Sequence, residues 1–306
     1  MKTDLNQTNR KSTERRPVVL AALLVGALGG LGGGGCATTQ TGGGALTQDT
    51  FEARKKLTRE LIARGDAATA FAYADGLQRE HPADAEVLVL RGVIYRDKGL
   101  GAEAEADLRE AIRLDGTLAE AHAALAITYD LGRRFDQAEA EHRRAAELAP
   151  RNARYLNNLG FSLFLRGKLP EAITFLGRAA RLDPTNRRVR SNLGFAYAGT
   201  GDLRRAAREF EMGGSAAQAK NNLGFAYERR GDLPRADDLY REAARLDPAS
   251  TRARANLAHT SLALGRELPS DLPAGPAGAN VSETPPGIDR RIETSLPFPS
   301  RKEIAP

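Results

Sequence analysis

No tryptophan occurs in these 306 residues, and there is one cysteine, two methionines, four histidines and only 6% aromatic residues. A single cysteine excludes an internal disulfide. The histidines (His81, His122, His142, His259) are scattered, and the chain has no HExxH, no CxxC and no nucleophile elbow, so neither a metal centre nor a catalytic constellation is expected. The carboxylate pair Asp237-Asp238 sits in an Arg-rich stretch and reads as solvated charge. No cofactor, no small-molecule substrate and no enzymatic activity are therefore expected. Strand formers are scarce. The apolar residues are mostly Ala and Leu, the profile of a helical protein packed through small side chains. The formal charge of +6 is partly a terminal effect, since residues 1–35 hold five Lys and Arg against two acids. The remainder is only mildly basic, which gives nucleic-acid binding little support.

What the chain does have is a recurring phrase. NNLGFAYERRGDL from Asn221 has near copies at Asn157 (NNLGFSLFLRGKL) and Ser191 (SNLGFAYAGTGDL). Aligned on their glycines, the copies place unit starts at 51, 85, 119, 153, 187, 217 and 251, with five intervals of 34 residues and one of 30. Small residues recur at position 8 (Gly92, Ala126, Gly160, Gly194, Gly224, Ala258), position 20 (Ala104, Ala138, Ala172, Ala206, Ala236) and position 27 (Ala111, Ala145, Ala179, Gly213, Ala243). Small residues at such spacing let paired helices approach closely, while Leu or Tyr at positions 7 and 11 fills the gaps. Gly65, Gly99, Gly167, Gly201 and Gly231 should end first helices, and Asp66, Asp202 and Asp232 should cap second ones. One helix pair cannot bury its apolar face alone, so each copy forms a packing surface for the next.

Period and residue identities together resemble the tetratricopeptide repeat (TPR) family over residues 51–266. The resemblance implies an all-α superhelical solenoid of six repeats closed by a capping helix, 251–265. The cap's outer side, with Arg252, Arg254 and Thr260, is expected to face water. The 30-residue interval predicts a second helix that stops a turn early at Gly213-Gly214. Residues 267–306, rich in Pro, Gly and Ser, read as a disordered tail.

The N-terminus has the order of an export signal: Lys2, Arg10, Lys11, Arg15 and Arg16, then PVVLAALLVGALGGL, then GGGG and Cys36. The apolar run is shorter than the roughly 20 residues that a membrane-spanning helix needs. Small residues followed by the lone cysteine resemble a bacterial lipoprotein lipobox, although Gly33 stands where Leu is usual. The resemblance implies a signal peptide over 1–35, lipidation of Cys36 and a flexible tether over 36–50; the alternative is an ordinary signal peptide with a free thiol. Ala37, in place of Asp, favours by the same resemblance an outer-membrane lipoprotein of the bacterial cell envelope, facing the periplasm.

Candidate binding residues follow from the helical register. Position 6 lies about 200° round the helix from the packed position 8, which is expected to point it into the concave surface. It holds Asn158, Asn192, Asn222 and Asn256, amides suited to the backbone of an extended peptide. Phe161, Phe195 and Phe225 at position 9 are either groove anchors or partly buried core. Position 2 changes from Glu86 and Glu120 to Arg154, Arg188 and Arg252. Basic residues in a first helical turn oppose the helix dipole, which an acidic peptide or simple solvation would offset.

The repeats and lipobox together resemble TPR lipoproteins of pilus and secretion systems, the TadD-type proteins of the tight-adherence (Flp) pilus and the secretin pilotins among them. This implies a membrane-anchored scaffold for a protein partner, an extended peptide or a secretin or pilus subunit. The other functional class is an envelope adaptor for peptidoglycan or envelope enzymes.

Overall fold

The computed structural model describes residues 43–269. Cys36, the expected signal peptide and the first seven residues of the expected tether (36–42) lie outside this range, as does the tail from residue 270 onward. Among the described residues there are thirteen helices and no strand. They are α1 (Gly43–Arg64), α2 (Ala67–Glu80), α3 (Ala85–Asp97), α4 (Gly101–Leu114), α5 (Ala119–Leu131), α6 (Phe135–Leu148), α7 (Ala153–Leu165), α8 (Leu169–Leu182), α9 (Arg187–Thr200), α10 (Leu203–Gly213), α11 (Ala216–Arg229), α12 (Leu233–Leu246) and α13 (Thr251–Leu264). Odd helices are first helices of a repeat and even ones second helices, with α13 as the cap. From α2 onward each helix packs on the next, and first helices also touch the first helix of the following repeat, from α3 through α11. The result is an all-α TPR solenoid. One expectation shifts at its start: α1 begins at Gly43, so the last residues of the stretch read as a tether are helical.

Close helix approach carries the hairpins. A methyl group added to Gly92 would lie 2.7 Å from Leu108, on Gly160 2.6 Å from Leu176, on Gly194 2.5 Å from Phe210 and on Gly224 2.9 Å from Tyr240. All four partners stand at position 24 of the same repeat, so a missing side chain at position 8 is filled by a large one at position 24. In the third repeat the pair is Ala126 and His142; in the first it is Thr58 and Ala74, all four buried. The alanines at position 20, from Ala70 to Ala236, are fully buried.

The turns follow the same economy. Gly65, Gly99, Gly167, Gly201 and Gly231 take φ between 73° and 91°, which glycine adopts without penalty. The third repeat has Arg133 there, at φ 58°, the one non-glycine with positive φ among the described residues. Asp66, Asp202 and Asp232 accept from backbone N–H groups three residues on, as expected of N-caps. Helix α10 has 11 residues where the other second helices have 14, and it ends at Gly213.

Candidate functional site

Successive repeats are registered by two sets of side chains. The first is a carboxylate at position 21 of one repeat that reaches the end of the next first helix. Glu105 binds Arg134, Arg109 and the Tyr129 hydroxyl; Glu139 binds Arg166, Lys168 and Arg143. Asp237, fully buried, accepts from Arg241 (3.1 Å), Arg266 (2.9 Å), Ser261 (2.5 Å) and Thr260 (3.3 Å). Burial pushes the Asp237 carboxyl upward, but the hydrogen bonds from Ser261, Arg266 and Arg241 outweigh it and hold the group below its ordinary value. Two sequence expectations fail here. Asp237 is not solvated charge, although its neighbour Asp238 is exposed, and Thr260 does not face water: its hydroxyl is buried against α12. A carboxylate inside the last interface requires donors from the cap, and Thr260 supplies one.

The second set is the asparagines. Asn192 Nδ2 donates to Asn157 Oδ1 at 2.9 Å, and Asn256 Nδ2 to Asn221 Oδ1 at 3.0 Å. Position 6 of one repeat thus meets position 5 of the preceding one. The expectation that position 6 opens into the groove is corrected for three of the four amides: Asn192, Asn222 and Asn256 are buried, at 3%, 3% and 6% exposure. The cause is that first helices approach one another as well as their own second helices, and this crossing covers position 6. Asn222 stands opposite position 5 of a repeat that carries Ser191 there, and its Oδ1 is buried without a hydrogen-bond partner. Asn158, facing a repeat with Ala123 at position 5, remains half-buried.

The phenylalanines divide in the same way. Phe195 and Phe225 are buried, ring centroids 5.9 Å apart and edge-on, with Phe210 4.8 Å from Phe195. They are packing residues of the joint across the shortened repeat. Phe161 is half-buried. On α7 Arg154 is exposed and Asn158, Phe161 and Leu165 are half-buried, spaced i, i+4, i+7, i+11 and therefore on one face. Arg154 stacks over Tyr155, 5.1 Å from its ring centre, and Arg188 at the next position 2 is exposed. The surface brought together is Arg154, Arg188, Asn158 and Phe161, smaller than the nine-residue ladder expected.

Charge is unevenly spread along the stack. Residues 51–152 hold 16 Lys and Arg against 19 Asp and Glu, whereas residues 153–266 hold 20 against 11. Asp130 accepts from buried His142 (2.9 Å) and from Ser162 (3.2 Å). The serine hydroxyl is spent on the carboxylate rather than on the imidazole, so this trio activates no nucleophile. Among the described residues no group of three His, Cys, Asp or Glu is placed to hold a metal ion, and no helix is long and apolar enough to cross a membrane.

Repeat length, turn glycines and the position-8 packing define a tetratricopeptide-repeat protein, and models of that repeat match residues 56–119, 162–201 and 217–250. The chain is 37% identical over 81 residues to the type IV pilus assembly protein PilF of Pseudomonas aeruginosa, a match covering 26% of this chain and 32% of that protein. The chain thus spans about a third of the curated relative it matches. In three dimensions it resembles a solved structure of Pseudomonas aeruginosa PilF (TM-score 0.55, 19% identity, 69% of this chain and 98% of that one). It also resembles the anaphase-promoting-complex hetero-tetramer Cut9-Hcn1 (TM-score 0.55, 19% identity, 68% and 42%). At these identities the structural likeness speaks to the fold alone.

Proposed function

We propose that this chain is a non-catalytic TPR scaffold, lipid-anchored at Cys36 in the bacterial outer membrane, that holds a protein partner during assembly of a pilus or secretion system. The observation that carries the reading is the open stripe on α7. Arg154, Asn158 and Phe161 present a cation, an amide and an aromatic face side by side, and exposed Arg188 extends the basic end. An extended segment of acidic character matches that set: its backbone exchanges hydrogen bonds with Asn158, its apolar side chains rest on Phe161, and its carboxylates meet the two arginines. The 37% identity to a pilus assembly protein over 81 residues supports the biological setting. A TadD-type or pilotin-like role is the finer form of the proposal.

The experiment is crosslinking and pull-down from native envelopes with the wild-type chain and with Asn158→Ala plus Phe161→Ala, accompanied by palmitate labelling of wild type and Cys36→Ser. Capture of a secretin or pilus subunit that is lost in the double variant, with label absent from Cys36→Ser, is the expected result. Unchanged capture by the double variant refutes the stripe, and palmitate label persisting in Cys36→Ser refutes the anchor.

A further inference from the structure

The edge of the solenoid where second helices end and first helices begin changes character halfway along the stack. In the first repeats it is acidic: residues 78–90 carry Glu80, Asp84 and Glu86 against Arg79, and residues 110–122 carry Glu110, Asp115 and Glu120 against Arg113. Between α8 and α9 the same edge, residues 178–190, has five arginines against Asp183 alone. Arg187 and Arg190 are tied down, Arg187 to the Gly213 carbonyl and Arg190 to Glu209 at 2.8 Å. Arg181, Arg188 and Arg245 are exposed, and among the described residues none of them forms an ion pair. The acids beside them, Asp183 and Asp247, accept from neutral donors (Asn186 and the Ala249 N–H) and keep their charge, but they are outnumbered by the arginines.

Apolar side chains stand exposed among these cations. Leu182 and Leu246 occupy the same repeat position, each directly after an exposed arginine (Arg181-Leu182, Arg245-Leu246), and are 40% and 56% exposed. Met212, at the end of α10 between them in the stack, is 52% exposed. A row of arginines would suit any polyanion, but leucines and a methionine presented outward between them gain nothing from a hydrated acidic chain. They gain from the boundary between headgroups and acyl chains, where cations meet phosphates while apolar tips enter the hydrocarbon.

We propose that this edge, built from the ends of α8, α10 and α12 and the starts of α9 and α13, docks on an anionic lipid surface. Docking there does not use Asn158 or Phe161 of the α7 stripe, although Arg188 is common to both surfaces. The docking is independent of any anchor at Cys36, because it rests on the edge itself.

The absence of tryptophan makes the test local. Leu246→Trp in the full chain, prepared also with Cys36→Ser, reports immersion by a blue shift of its emission. Leu182→Trp is a second probe should the first variant fold poorly. Leu100→Trp, 39% exposed in the turn between α3 and α4 at the other edge, is the control. Vesicles of phosphatidylglycerol and phosphatidylethanolamine are expected to shift the emission of Leu246→Trp or Leu182→Trp, with phosphatidylcholine vesicles inert and the shift lost in high salt. Each arginine near an anionic surface is worth roughly fivefold in partitioning, so adding Arg181→Glu, Arg188→Glu and Arg245→Glu should weaken the response more than about 100-fold. No shift with anionic vesicles, an equal shift with phosphatidylcholine, or an equal shift at Leu100→Trp overturns the proposal. A response to polyglutamate in place of vesicles overturns it in favour of an acidic polypeptide.

Discussion

Replacing Asn192 by alanine separates a packing role from a binding role. The Asn192 amide is 3% exposed and donates at 2.9 Å to Asn157 Oδ1, itself on a residue 5% exposed. Asn192→Ala removes the donor and leaves that oxygen buried without a partner, which costs about 1–3 kcal/mol. Asn157→Ala strands the Asn192 N–H groups at a similar cost. The double variant loses only the net worth of the bond, about 0.5–1.5 kcal/mol, because no polar group is left orphaned. A double-mutant cycle in urea should therefore show the two changes together costing less than their sum, with a coupling of about 1 kcal/mol or more. Asn222→Ala is the internal comparison: its Oδ1 already has no partner, so its removal should cost less than that of Asn192. Additive costs in the cycle, or an Asn192→Ala variant of wild-type stability that fails to capture a partner, would refute the packing assignment and return Asn192 to the groove.

Further outcomes follow from the same geometry. Arg133→Gly should raise stability by about 0.5–1 kcal/mol in a melting experiment, since a left-handed residue costs an L side chain about 1–2 kcal/mol and glycine returns part of that through the unfolded chain. Gly160→Ala should cost about 1–3 kcal/mol, because its methyl would sit 2.6 Å from Leu176, and Leu176→Ala in the same chain should recover part of the loss. Asp237 is held below its ordinary pKa, so its contribution is present above the unfolded value of about 3.9 and is lost as pH falls below it. The melting-temperature gap between wild type and Asp237→Asn should accordingly close on acidification below about pH 4. A gap that stays constant would refute that linkage.

The hairpins were legible from one sequence because their determinants recur at fixed offsets within a repeat: turn glycines, capping aspartates, and the small residues at positions 8, 20 and 27. What lies between repeats was harder to read. The position of Asn192 on its own helix says which way it leaves the axis, but not that the previous first helix crosses over it. The partner at position 5 was in plain view as Asn157 and Asn221, yet pairing them requires knowing which neighbouring helix comes close. Thr260 was misplaced for a related reason. A cap is polar on its outer face, but the carboxylate of Asp237 draws hydroxyls onto its inner face too. The exchange of size between positions 8 and 24 was available in the sequence, since Ala126 stands opposite His142 where Gly92 stands opposite Leu108, and looking only for small residues concealed it.

That exchange also governs how such an array can grow. Positions 8 and 24 lie in one repeat, so a duplication that copies a whole hairpin carries its own matched pair and fits wherever it lands. A crossover in the turn between the two helices would marry Gly194 to Ala74 or Thr58 to Phe210, leaving a void in one case and a collision in the other. The amide pairs and carboxylate clamps instead join one repeat to the next and reward particular neighbours. The heritable unit is thus the hairpin from first helix to second, while the order of units is a separate message written at their joints.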